Sequence, residues 1–159
     1  MWLKELLFTA LYTGYFPRMP GTAASLFAML LYMIGYCVFG ESIVWINALA
    51  VGIMLYPGVR LGDCGERFFG KKDPPQIVLD EVLGYMIAVL FHPFSWTTAV
   101  LAFFVFRITD IFKPWPTRRL QSIDGGLGVM IDDWVAGAYT SVIVFGIRSA
   151  ITAFGLVVP

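Results

Sequence analysis

Five carboxylates carry the chemical promise of this sequence: Asp80 and Glu81 side by side, Asp110, and the adjacent Asp132 and Asp133. Each stands where an apolar stretch begins or ends, and together they make up five of the chain's 11 acidic side chains. Carboxylates in membrane helices are costly and are usually functional. Asp80 lies five residues beyond Pro75, about 7.5 Å along a helix starting there, and Asp110 lies four residues before Pro114, about 6 Å from a helix end. A hairpin between them would bring both to one level, with Asp132 and Asp133 opening the last helix at a similar depth. The five are therefore expected to converge on one pocket.

Like charges so close repel and take up protons unless a cation lies among them. Hard oxygen ligands without histidine or thiolate favour Mg²⁺ or a similar ion, which keeps its waters and engages phosphates. Arg107 and Lys113 flank Asp110 at three residues on either side, so all three can share one helical face. Cations beside a metal-carboxylate cluster point to phosphate recognition, because guanidinium matches phosphate oxygens bidentately. A competing reading makes these groups interhelical ion pairs, and the convergence of five acids weighs against it. His92, the only histidine, falls in the sequence His92-Pro93-Phe94-Ser95 and reads as a turn residue, which leaves no histidine for catalysis. Phe16-Pro17-Arg18-Met19-Pro20-Gly21-Thr22 opens the first apolar run, where Thr22 or Ser25 presents a hydroxyl beside free backbone N–H groups. Gly125-Gly126-Leu127-Gly128 precedes Asp132 in the same way. Each is a tight turn or, next to an acidic metal cluster, a phosphate cradle.

The elements that must position these groups follow from composition and spacing. Of 159 residues, 58% are hydrophobic and 14% charged, with 11 basic and 11 acidic side chains and a mean hydropathy of +0.77. An ordinary soluble domain of this length carries about 40 charged residues. The deficit argues against a soluble monomer or a disordered chain, and zero formal net charge removes the basic face that nucleic acid requires. Cys37, in an apolar run, and Cys64, in a charged loop, are too few for a disulfide framework. Met1-Trp2-Leu3-Lys4-Glu5 lacks the pattern of a cleaved leader, so mature protein is expected from the start.

Met19 to Gly40 has no charged side chain over 22 residues and Ser42 to Val59 none over 18, each enough to cross about 30 Å of hydrocarbon as a helix. Val82 to Phe106 is also free of charge but is broken at His92 to Ser95, which predicts a hairpin with arms from Ile77 to Phe91 and from Trp96 to Lys113. A last segment, Trp134 to Val158, contains Arg148, which can snorkel outward. Lys4, Arg18, Arg60, Arg67, Lys71, Lys72, Lys113, Arg118 and Arg119 all fall in the alternate polar segments, while the intervening loops have no Lys or Arg. That bias predicts five crossings, with the N-terminus and every polar segment in the cytoplasm and the C-terminus outside. The expected fold is a single domain over residues 1–159: an all-α polytopic bundle of four to five membrane segments, one a proline-bounded hairpin, with its active site at the cytoplasmic face.

Four ordered motifs then carry a resemblance across almost the whole chain: Phe16-Pro17 through Pro20-Gly21-Thr22 and Ser25; Ile77-Val78-Leu79-Asp80-Glu81 with Gly84; Phe106-Arg107 through Asp110 and Lys113-Pro114-Trp115-Pro116; and Gly125-Gly126-Leu127-Gly128-Val129-Met130-Ile131-Asp132-Asp133 with Ala136-Gly137. With these, the chain resembles the phosphatidylglycerophosphatase A family of small bacterial membrane lipid phosphatases. The resemblance implies Mg²⁺-dependent hydrolysis of phosphatidylglycerol phosphate to phosphatidylglycerol and inorganic phosphate, in the bacterial inner membrane and on the route to cardiolipin. In that setting Asp80, Asp110 and Asp132 or Asp133 are expected to hold metal. Glu81, within the same metal-binding set, is the general-base candidate. Arg107 and Lys113 would neutralise phosphoryl charge, and Arg18, Thr22, Ser25 and Gly126 would complete the phosphate site. An aspartyl-phosphate intermediate is the alternative to direct attack by water. Other phosphatase chemistries lack their residues: Gly70 stands where a thiol phosphatase would need arginine after Cys64, and there is no Asp-x-Asp pair. Two other functions compete. Asp124-Gly125 with Gly128 to Asp132 faintly imitates a CDP-alcohol phosphotransferase, without the alanine-arginine pattern between. A carrier or structural subunit would need, respectively, polar groups along a path to the far side or tolerance of neutral replacements.

Overall fold

The computed structural model describes residues 2–154, and among them every regular element is a helix. A short α1 (Trp2–Phe8) and a 3-10 turn precede α2 (Pro20–Phe39) and α3 (Ile43–Phe69). Then come α4 (Leu79–Ala88), α5 (Trp96–Phe112), a single-turn α6 (Thr117–Leu120) and α7 (Gly126–Ala153). Pro20 occupies the first turn of α2, where a missing N–H costs nothing, and Gly40 closes that helix with its N–H on the Tyr36 carbonyl. Ser95 caps α5 by accepting the Thr98 N–H at 3.1 Å.

The first turns of α2, α4 and α7 and the last turns of α3 and α5 meet at one end of the bundle, so the long elements alternate in direction. α7 is the axis, in contact with α3, α4, α5 and α6. The core beside it contains Leu83, Tyr85, Phe106, Met130 and Val144, all nearly inaccessible. Its closest neighbour is α4. A Cβ on Gly137 would lie 2.3 Å from the Gly84 carbonyl oxygen, so both glycines are needed for the backbones to touch. The exterior is apolar: Leu30, Ile34, Val38, Trp45, Leu49, Ile53, Phe104, Ile108, Val142 and Phe145 are all exposed. Two helical stretches, Pro20–Phe69 and Gly126–Ala153, are long and apolar enough to cross a membrane, which together with the apolar exterior is consistent with a membrane protein.

Several boundaries differ from expectation. α3 does not stop near Val59. It runs through Pro57 to Phe69, where Gly70 at φ 63 returns its N–H to the Glu66 carbonyl, so Arg60, Cys64 and Arg67 lie on a helix and not in a loop. The first hairpin arm is helical for only 10 residues, about 15 Å. Val78 gives its N–H to the Phe8 carbonyl before the helix starts, and turns take over after Ala88. α7 starts eight residues ahead of Trp134, placing Asp132 and Asp133 about two turns into it, and the expected end at Val158 lies outside the described residues. Arg148 donates to Thr98 Oγ1 and to the Pro93 carbonyl, at the turn between α4 and α5. His92 does lie in the turn, but it is buried, with Nε2 3.2 Å from the Ser141 carbonyl oxygen.

Gly137→Ala is expected to destabilise the fold by about 1 to 3 kcal/mol, because a methyl group would be forced against backbone. Gly146→Ala, with open space around its Cβ position, is the control. Thermal unfolding of both variants in detergent checks this.

Candidate active site

At the shared helix ends, a cavity of about 200 Å³ is lined by Asp80, Glu81, Asp110, Asp132 and Asp133, together with Asp73 and Lys113. Three helices place the expected acids. Asp80 and Glu81 occupy the first turn of α4, where the helix dipole favours negative charge, Asp110 lies in the last turn of α5, and the α7 pair faces them. Asp80 therefore sits at its helix start, and not more than a turn inside it. The α5–α7 joint is fastened next to Asp110 by the buried Thr109 and Thr140 hydroxyls, 2.9 Å apart. Lys113 caps α5 in a left-handed conformation, φ 44, with its N–H on the Thr109 carbonyl. That bend carries its side chain to α7.

The five acids divide into two groups. Asp80, Glu81 and Asp133 each offer an oxygen within 4.8 Å of the others. Asp110 and Asp132, expected as metal ligands too, are each ion-paired through one oxygen: Arg107 Nη1 lies 2.6 Å from Asp110 Oδ2, and Lys113 Nζ lies 2.6 Å from Asp132 Oδ2. Asp80 Oδ1, Glu81 Oε2 and Arg107 Nε are buried without a hydrogen-bond partner. Orphaned carboxylate oxygens in a negative pocket with only two cations nearby fit a hard divalent cation, and the all-oxygen donor set suits Mg²⁺.

The N-terminus of α2 closes one side. Glu81 Oε1 occupies the place where a Gly21 side chain would be, 2.1 Å from the Cβ position, and Arg107 Nη1 is 3.3 Å from it. Ser25 is buried here, donating to the Gly21 carbonyl at 2.8 Å and accepting from Arg107 Nη1 at 3.4 Å. Thr22 is half-buried in the same first turn. Arg18 is exposed ahead of it at φ 74, and neither of these two lines the cavity. Gly126 departs from its expected role. Its N–H donates to Asp63 Oδ1 at 2.6 Å and its α-carbon packs on α3, so it joins helices and cannot cradle a phosphate.

Asp73 and Asp63 stand outside the expected set. Asp73 precedes Pro74-Pro75, which reads as an ordinary turn; folding turns it toward the pocket, with Gln121 Nε2 on its Oδ2 at 2.8 Å and its own N–H on Glu66. Asp63 caps α7 from a neighbouring helix, a pairing that sequence spacing cannot reveal. Lys72 ties the same two loops together through Asp124 at 2.7 Å and holds that carboxyl below its usual range.

A helical bundle whose helix ends enclose crowded carboxylates, an arginine and a lysine belongs to the class of helical proteins equipped to handle a phosphate ester. The chain belongs to the phosphatidylglycerophosphatase A family, whose model matches residues 6–148, and is a phosphoric monoester hydrolase. It is 34% identical over 145 residues to the phosphatidylglycerophosphatase A of Escherichia coli, covering 89% of this chain and 81% of that one. The Haemophilus influenzae protein of the same name is 32% identical, covering 91% and 88%. A Bacteroides thetaiotaomicron protein provisionally named phosphatidylinositol-3-phosphatase is 34% identical, covering 89% and 91%. No solved structure matches the chain.

Gly21→Ala should leave the fold near its normal stability, since the new methyl meets a side-chain end, yet lower turnover about 100-fold by displacing Glu81. Unfolding temperature and kcat measured on the same preparation separate the two effects.

Proposed function

We propose that the protein hydrolyses phosphatidylglycerol phosphate to phosphatidylglycerol and inorganic phosphate with Mg²⁺, supplying phosphatidylglycerol and cardiolipin synthesis. The observation that carries this reading is the set of orphaned oxygens on Asp80 and Glu81 beside Asp133, within reach of two cations. The relatives named phosphatidylglycerophosphatase A support the choice of lipid. Asp80, Glu81 and Asp133 would hold the ion, which when bound polarises phosphoryl oxygens and makes a bound water more acidic. Arg107 and Lys113, paired with Asp110 and Asp132 at rest, turn to the phosphate and neutralise charge developing on it. Glu81, through the oxygen it leaves free of the ion, accepts the proton of the attacking water. Ser25 holds Arg107 beside the pocket.

The chain is read as one domain in the bacterial cytoplasmic membrane. Helices α2, α3, α5 and α7 cross, and α4 completes a crossing through the turns at residues 89–94, a broken path that lipid tolerates where protein covers it. Every Lys and Arg except Arg148 lies toward the acidic end, which faces the cytoplasm by the positive-inside rule. A lipid held by its tails in that leaflet presents its terminal phosphate to the pocket.

Purified protein in mixed micelles is expected to release phosphate from phosphatidylglycerol phosphate with Mg²⁺ and to stop under excess chelator. Turnover that ignores the chelator would sink the metal reading, and faster release from phosphatidylinositol 3-phosphate would move the substrate. Asp80→Asn and Asp132→Asn are each expected to lower kcat at least about 100-fold in protein that remains folded.

A further inference from the structure

The cleft between α1 and the last turns of α3 has no part in this chemistry. It encloses about 380 Å³ lined by Lys4, Phe8, Cys64, Arg67 and Phe68, none of which lines the carboxylate pocket. Helical spacing builds it. Lys4 and Phe8 stand four residues apart on α1, and Cys64 and Phe68 four apart on α3 with Arg67 beside them, so each wall contributes a cation and an aromatic ring. Phe8 is buried, its ring centred 5.7 Å from that of Phe68.

Among the described residues the two cations have no counterion. Lys4 Nζ reaches Cys64 Sγ at 3.9 Å, and neither Lys4 nor Arg67 forms an ion pair among the described residues. The acid next to each in sequence is engaged elsewhere: Glu5 Oε1 accepts the Tyr15 hydroxyl at 2.7 Å, and Glu66 Oε1 accepts the Asp73 N–H at 2.9 Å. Two positive groups over an apolar floor complement one phosphodiester and its hydrocarbon chain, the cations meeting phosphate oxygens and the Phe68 ring meeting methylenes. Trp2, Leu3 and Leu7, exposed on α1, give this edge of the protein an apolar face suited to a membrane surface. We propose that the cleft binds the headgroup of an anionic phospholipid, at a site separate from the carboxylate pocket, with an acyl chain lying along Phe68.

Cys64 reports occupancy, because a headgroup between Lys4 and Arg67 covers its thiol. In a Cys37→Ser background it is the sole cysteine. Its alkylation by a neutral maleimide is timed in vesicles of phosphatidylcholine, in the same vesicles with phosphatidylglycerol, and in phosphatidylcholine with millimolar inorganic phosphate. Phosphatidylglycerol is expected to slow alkylation about tenfold, the protection that lipid at about ten times its Kd confers. Lys4→Gln/Arg67→Gln is expected to abolish that protection while Arg67→Lys keeps most of it; if the double variant fails to fold, Lys4→Gln alone carries the comparison. Equal rates in all vesicles, protection by free phosphate alone, or protection that survives removal of the cations overturns the proposal.

Discussion

Gly84 and Gly137 let the backbones of α4 and α7 touch, and that contact sets how close Asp80 and Glu81 come to Asp133. Carboxylates crowded in a medium of low polarity repel one another strongly, so the helices carrying them must be held by something else. Leu83, Tyr85 and Ala88 hold α4 by burial, the Tyr85 hydroxyl donates to the Ala99 carbonyl, and Thr109 and Thr140 tie α5 to α7. Asp63 then pins the start of α7 to α3. Apolar packing thus sustains an electrostatic arrangement that Arg107 and Lys113 relieve only in part.

The same division organises the whole molecule. Large apolar side chains cover the outside as well as the inside, while ionic groups gather at one end. In the proposed bilayer setting the flanks meet no water, so few charges are needed elsewhere. What would be a solubility defect in an aqueous globule is, on that proposal, the condition for placing a polar pocket at headgroup level.

Much of the pocket was legible in the sequence, because an acid beside a proline-bounded apolar run has few places to go. Asp80, Glu81, Asp110, Asp132 and Asp133 do line one cavity, and Arg107 and Lys113 do flank it. The all-helical class and the long apolar stretches were legible for the same reason, that composition and periodicity are local. Tertiary partners were not. Whether Gly126 offers its N–H to a ligand depends on Asp63, sixty-three residues away, and whether Asp73 faces solvent or the cavity depends on Gln121. Helix ends failed similarly. Polar residues 60–69 look like a loop when helix and membrane are equated, yet a helix can outrun the bilayer, and α4 is short because contacts with Phe8 and the turns after Ala88 limit it.

The brevity of α4 has a mechanical consequence. Tilting is how a long helix adapts to a bilayer thicker or thinner than its apolar length. α2, α3, α5 and α7 expose side chains on which such mismatch can act, whereas α4 exposes none of its large ones. In the proposed membrane setting, two of the crowded acids therefore ride on a strut that its neighbours shield from the lipid, and changes in membrane thickness reach them only through the helices around it.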